Sequence, residues 1–222
     1  MSEANQEMLY AIGVGPGDPE LLTLKAINII KKADVIACPS KDGKPGIAYQ
    51  IVSKAVPEIE NKECLLLDLP MRKDNLKDAH NRAIEQIKEK LEKGKNVALL
   101  TLGDPCIYST AFYVIERIKQ EGYPIEIISG VPSFCVASAK LLQPLALGDE
   151  DVLITSGEYK NVSGTNVIMK AGSKLSTLKK EIAESGREAY LIENLGMENE
   201  TIINGIQNMP DDAGYFSILI VK

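Results

Sequence analysis

The chain has 222 residues, 45% apolar and 25% charged, enough to bury one large core or two smaller ones, which excludes disorder, a collagen-like chain and a small disulfide scaffold. Its 31 acidic and 25 basic side chains leave a formal charge of −6, the reverse of what counterion release at a nucleic acid requires, so no nucleic-acid partner is expected. No apolar run approaches the roughly 18 residues that a membrane span needs, and the opening residues MSEANQEM lack the basic and apolar regions of a signal peptide, so a cytoplasmic protein with no membrane partner is expected.

Residues 8–15 (MLYAIGVG) are a short apolar run closed by glycine, read as a strand. In LLTLKAINIIKKA, Leu21, Leu24 and Ile27 recur at helical spacing with Leu22, Ala26, Ile29 and Ile30, which predicts a helix. A second strand over 34–37 enters a loop over 39–46, and a helix over 47–56 and a strand over 63–67 follow. From 74 to 93, Leu76, Ala79, Ala83, Ile84, Ile87 and Leu91 form one stripe, with Asp74 as N-cap and Gly94 as stop. The apolar run NVALLTL suits a strand covered on both faces, and after the loop GDPCIY a helix runs to about Gln120.

The stretch EGYP at 121–124 breaks the pattern and is read as a domain boundary, dividing 1–121 from 122–222. Beyond it come strand IEIIS, loop GVPS, a helix over 134–142, strands DVLIT and NVIMK, a helix over 175–184, strand EAYLI and strand YFSILIV. Asn204-Gly205 reads as a hairpin turn. An α/β architecture, each half a mainly parallel or mixed sheet flanked by helices, is the inference.

Cys38, Cys64, Cys106 and Cys135 form no C-x-x-C and are expected to be free, mostly buried thiols. The single histidine, His80, lies in the charged amphipathic stretch and is expected on a solvated helix face. No metal site and no histidine-based triad are therefore expected.

Three loops follow apolar strands and open helices. The first, Gly13-Val14-Gly15-Pro16-Gly17-Asp18-Pro19, suits either anion binding at a helix N-terminus or a purely structural glycine turn. It departs from the dinucleotide fingerprint, since Pro16 removes an N–H and Asp34 begins rather than ends the second strand. In the second, Leu102 to Thr110, Asp104 suits hydrogen bonds from a ligand's amino or ribose hydroxyl groups, or an Asx turn that orders Pro105. The third, Ser129 to Ser133, places Ser133 as an N-cap or a ligand contact. Together they point to one cleft at the C-terminal edges of the sheets.

Taken in order, YAIGVGPGDPELLTLKA, LTLGDPCIYST and ISGVPSFCVAS resemble the tetrapyrrole methylases, S-adenosylmethionine-dependent enzymes that methylate corrin and sirohaem precursors. LPMRKD, VIMKAG and IENLGMENE are similar to the branch acting at C20 of the macrocycle in cobalamin synthesis. The resemblance implies a two-domain α/β fold with the methyl donor in the inter-domain cleft, a tetrapyrrole substrate and a homodimer. It places Leu102, Gly103, Asp104, Ile107, Ser133, Met169, Asn194 and Leu195 on the donor side. Gly13, Gly15, Pro16, Gly17 and Asp18 fall on the tetrapyrrole side, and packing is the competing role of Met169 and Leu195.

Methyl transfer from a sulfonium needs positioning rather than a protein nucleophile. The C20 proton must then leave, and Asp18, Asp104, Tyr108 or a substrate carboxylate are the candidate acceptors, with Asp104 and Tyr108 the expected catalytic residues. A polycarboxylate substrate on an acidic protein requires local cations, for which Lys41, Lys44, Arg72 and Lys73 are candidates, ordinary solvated charge being the alternative. Competing functions are methylation of another corrin position or of uroporphyrinogen III, ribosomal RNA or translation-factor modification, a non-catalytic tetrapyrrole carrier, and a nicotinamide-dependent oxidoreductase. Any cobalt would belong to the substrate, with no protein-bound metal.

Overall fold

A computed structural model describes residues 7–69 and 76–222. The chain divides into two units, Met1–Val131 and Pro132–Lys222.

In the first unit, β1 (Leu9–Gly13) leads through a 3-10 turn to α1 (Leu24–Lys32), then β2 (Val35–Lys41), β3 (Lys44–Pro45), α2 (Ile47–Ala55), β4 (Glu63–Leu67), α3 (Leu76–Glu92), β5 (Val97–Thr101), α4 (Ala111–Gln120) and β6 (Ile125–Ile128). The sheet runs β3-β2-β5-β1-β6, with β4 also paired to β2. Every pairing is parallel except the β2–β3 hairpin. Side chains alternate across the sheet. Leu9, Ala11, Val97 and Leu99 face α3 and α4, while Ile12, Ile36, Ala98 and Leu100 face α1 and α2. Both faces being covered explains why all five residues of β5 are buried.

The expected boundary at 121/122 falls before β6. That strand is hydrogen-bonded along its length to β1, so the division falls at Val131/Pro132 instead. The helix expected from Leu21 starts at Leu24, because Thr23 Oγ1 accepts the Ala26 N–H at 3.2 Å. Leu24 consequently leaves the apolar stripe and is 80% exposed.

The second unit comprises α5 (Ser133–Leu141), β7 (Val152–Ser156), β8 (Thr165–Met169), α6 (Leu175–Ser185), β9 (Ala189–Glu193), β10 (Thr201–Asn204) and β11 (Ser217–Val221). Its sheet runs β10-β9-β11-β8-β7, with only β7–β8 parallel. Ile168, Leu191, Leu219 and Val221 pack under Leu175, Leu178 and Ile182 of α6. Asn204-Gly205 makes no hairpin. Gly205 donates its N–H to Ala189 O at 3.0 Å and opens a 3-10 turn that leaves β10 on the sheet edge.

Two expectations about single residues are corrected. His80 is half-buried and stacks on Tyr113 of α4, ring centroids 5.4 Å apart, and burial lowers its pKa. Of the four thiols only Cys38 is buried; Cys64 is half-buried and Cys106 and Cys135 are exposed. Among the described residues no cluster of metal-ligating side chains occurs, and no helix is long and apolar enough to cross a membrane.

Candidate functional site

Because β1 lies between β5 and β6 and all three run parallel, the loops after Gly13, Thr101 and Ile128 leave one sheet edge side by side. They are bonded to each other. Val14 N–H donates to Thr101 O at 3.0 Å, Gly103 N–H donates to Gly15 O at 2.8 Å, and Gly15 N–H returns to Gly103 O at 3.3 Å.

The first and third loops meet with no room for side chains. A β-carbon on Gly13 would stand 2.6 Å from Gly103 O, and one on Gly130 would stand 2.2 Å from the same atom. Only glycine allows such an approach. Gly130 was not picked out from the sequence, since its need for a bare Cα shows only once β6 is seen beside β1.

Asp104 is 9% exposed. Its Oδ1 accepts the Cys106 N–H at 2.8 Å, which is the Asx turn, and its Oδ2 accepts the Gly130 N–H of the third loop at 3.0 Å. Ser109 Oγ lies 3.0 Å from Thr101 Oγ1 and accepts the Ala111 N–H at 3.2 Å, tying the loop to the start of α4. Leu102, Gly103 and Ile107 are half-buried. Tyr108 is 45% exposed and held at φ +47.

Gly13, Gly15, Pro16 and Gly17 are buried. Half-buried Asp18 accepts the Glu20 N–H on Oδ1 at 2.9 Å and caps the turn at Pro19–Leu21. Lys44 is exposed on β3, opposite Lys41 of β2. Arg72, Lys73 and the proposed cap Asp74 lie outside the described residues.

In the second unit β7, β8 and β9 point the same way, so Ser156, Met169 and Glu193 end at one sheet edge. Met169 is half-buried, and its carbonyl accepts the Gly157 N–H at 2.9 Å. Asn194 donates its N–H to Phe216 O and accepts the Met197 N–H, both at 2.9 Å, while Leu195 is 4% exposed. Ser133 is the first residue of α5 rather than its cap, the N-cap being Pro132.

Non-glycine residues at positive φ cost about 1–2 kcal/mol each. Five occur among the described residues, and two of them, Asp42 and Leu142, belong to a hairpin turn and a helix C-cap. The other three are Tyr108 in the second loop, and Lys170 and Asn194 in the stretches VIMKAG and IENLGMENE, just past the ends of β8 and β9. Strain of this kind gathers at functional sites, and it adds Lys170, a residue of VIMKAG that was not among the candidate site residues.

A methyl-donor nucleoside fits one further feature of the first-unit loops. Gly103 sits at φ +71 and the direction its missing β-carbon would take is open, with nothing within 4 Å. Its Cα face is thus open, while its N–H and carbonyl are both held by Gly15.

Residues 8–207 match the family described as Tetrapyrrole (Corrin/Porphyrin) Methylases. The chain is 35% identical, over 96% of its length and 95% of the relative's, to a probable cobalt-precorrin-2 C(20)-methyltransferase of Methanocaldococcus jannaschii. It is 30% identical to a precorrin-2 C(20)-methyltransferase of a Sinorhizobium species, covering 100% of this chain and 97% of that one. Among solved structures, uroporphyrin-III C-methyl transferase from Thermus thermophilus, complexed with S-adenyl homocysteine, superposes with a TM-score of 0.70 at 19% identity, covering 96% of this chain and 91% of that one.

Proposed function

The chain belongs to the tetrapyrrole (corrin/porphyrin) methylases, and on that footing we propose that it transfers a methyl group from S-adenosylmethionine to C20 of precorrin-2 or of its cobalt-loaded counterpart, cobalt-factor II. The observation that carries the reading is end-to-end similarity to two C20-methyltransferases, one named for the cobalt-loaded precursor and one for the metal-free form.

The donor, when bound, supplies an electrophilic methyl on a sulfonium. The protein's contribution is alignment, because displacement at that carbon needs nucleophile, methyl and leaving sulfur in line, and fixed geometry can supply about 7–11 kcal/mol of such a barrier. Leu102, Gly103, Asp104 and Ile107 of the first unit, with Ser133, Met169, Asn194 and Leu195 of the second, are the residues we assign to the donor. The loop-to-loop bonds from Gly15 and Gly130 support this for the first four, since they fix the backbone that a nucleoside would meet.

Gly13, Gly15, Pro16, Gly17 and Asp18 are assigned to the tetrapyrrole, with Lys41, Lys44, Arg72 and Lys73 supplying charge for its carboxylates. Transfer leaves a proton on C20, and Tyr108, strained and exposed in the second loop, is the side chain we assign to relaying it, its oxygen taking the C20 proton as its own hydroxyl proton passes to a substrate carboxylate or water. Asp18 is engaged as a turn cap. The enzyme is proposed to act as a cytoplasmic homodimer.

The test is an anaerobic assay with methyl-labelled donor and each precursor in turn, followed by NMR location of the new methyl. A single label at C20 is expected. A label at another ring carbon would overturn the C20 assignment, and absence of both transfer and S-adenosylhomocysteine binding would overturn the methyltransferase reading.

A further inference from the structure

We propose that Asp104 is a positioning residue whose carboxylate clamps the second loop to the third, and is not the group that accepts the C20 proton. The inference rests on the donor assignment above and deepens it.

A general base must come within hydrogen-bond reach of the proton it removes, and a buried carboxylate held by bonds within the protein is poorly placed to do so. Asp104 is 9% exposed, and each of its oxygens is aimed at a backbone N–H, Oδ1 at Cys106 two residues on and Oδ2 at Gly130 on another strand's loop. Hydrogen bonds from backbone N–H groups to a carboxylate are charge-assisted and roughly twice as strong as neutral ones, so the bond to Gly130 is a firm tie between the two loops.

The neighbours show what the clamp sets. Gly130 N, the atom bonded to Asp104, lies 2.5 Å from where a β-carbon of Gly13 would stand, and Gly103 O lies 2.6 Å from that point. Seating Gly130 on Asp104 therefore presses the third loop against Gly13 and against the carbonyl of Gly103. Gly103 is the residue immediately before the clamp and the one whose outer side is open. The carboxylate thus fixes the backbone offered to the donor without touching the reacting atoms.

Asp104→Asn tests this, since the amide keeps one acceptor and turns the other into a donor facing an N–H. S-adenosylhomocysteine affinity, measured by calorimetry, is expected to weaken by roughly tenfold or more, while the pH profile of kcat keeps its shape. Thr23→Ala, which loosens a helix cap remote in sequence from these loops, serves as the stability control and is expected to keep the wild-type affinity. Unchanged affinity in Asp104→Asn with loss of a limb of the pH profile would overturn the proposal and make Asp104 the base.

Should Asp104→Asn fail to fold, hydrogen exchange in the wild-type protein decides. The Gly130 and Cys106 amides are expected to exchange at least about 100-fold more slowly than an unprotected loop amide. Exchange at the unprotected rate would remove the clamp. A wild-type protein that shows this protection yet binds no S-adenosylhomocysteine would instead overturn the donor assignment.

Discussion

A β-carbon on Gly130 would stand 2.6 Å from the carbonyl carbon of Gly13, and a β-carbon on Gly13 would stand 2.5 Å from the nitrogen of Gly130. Both obstacles are backbone, with no flexible side chain to yield. Gly13→Ala is therefore expected to destabilise the first unit by about 1–3 kcal/mol, the usual cost of forcing extra carbon into filled space. Thermal denaturation reads the loss, and a melting temperature equal to wild type would mean that the loops separate freely.

Glu63 receives hydrogen bonds from Lys90 at 2.6 Å and Lys95 at 2.5 Å, and these bonds, Lys90's first, lower its pKa from 4.5 to about 2. A carboxylate lowered in the folded state adds stability above its ordinary pKa and loses it as pH falls through the folded value. Glu63 is 36% exposed, so solvent screening limits the gain to about 0.5–1 kcal/mol. Glu63→Gln should cost that much in a urea melt at pH 7, and the difference should fade between about pH 4.5 and pH 2.

Thiol labelling should sort the cysteines by exposure. Cys106 and Cys135 are open to solvent, whereas Cys38 is buried and burial, with the neighbouring Cys64, pushes its thiol up to about 12. Iodoacetamide followed by peptide mass mapping should show Cys106 and Cys135 modified first and Cys38 only after denaturation, because the thiolate is the reacting form. Labelling of Cys38 alongside Cys106 would reveal opening between β2 and α2.

Tyr108→Phe removes the hydroxyl assigned to proton removal and leaves the ring. A kcat lower by about 10²-fold, the low end for general acid–base catalysis, is expected with S-adenosylhomocysteine affinity unchanged. An unaltered kcat would pass the proton to water or to a substrate carboxylate.

Arg72→Ala should raise KM for the tetrapyrrole and leave donor affinity as it is, since Arg72 is assigned to a substrate carboxylate. The effect should shrink with added salt as charge is screened. An unaltered KM at low salt would remove Arg72 from the site.

Features that depend on neighbours in sequence were legible before the structure. The strand over 63–67 emerges with those bounds as β4, the run VALLT is buried on both faces as β5, and the stripe from Ala83 to Leu91 packs as one face of α3. The Asx reading of Asp104 was local too, because Cys106 is two residues away. Its second bond was not, because Gly130 reaches Asp104 only after β6 pairs beside β1. The same strand pairing moved the domain division past the expected 121/122. His80 and Leu24 were misplaced for a related reason: an amphipathic pattern gives a helix's stripe, but Tyr113 on another helix and the Thr23 cap decide which side chains end up inside it.

The position of β11 bears on how the protein comes to be folded on the ribosome. It is the last of the described strands to be synthesised, yet it occupies the middle of its sheet, hydrogen-bonded to β8 on one side and β9 on the other. The strands of the first sheet are all translated by Ile128, so that unit can assemble while the rest is still emerging. The second cannot: β8 and β9 have no ladder joining them until residues 217–221 arrive, and they wait as separate fragments with open edges, the condition in which nascent β-structure is most exposed to mispairing.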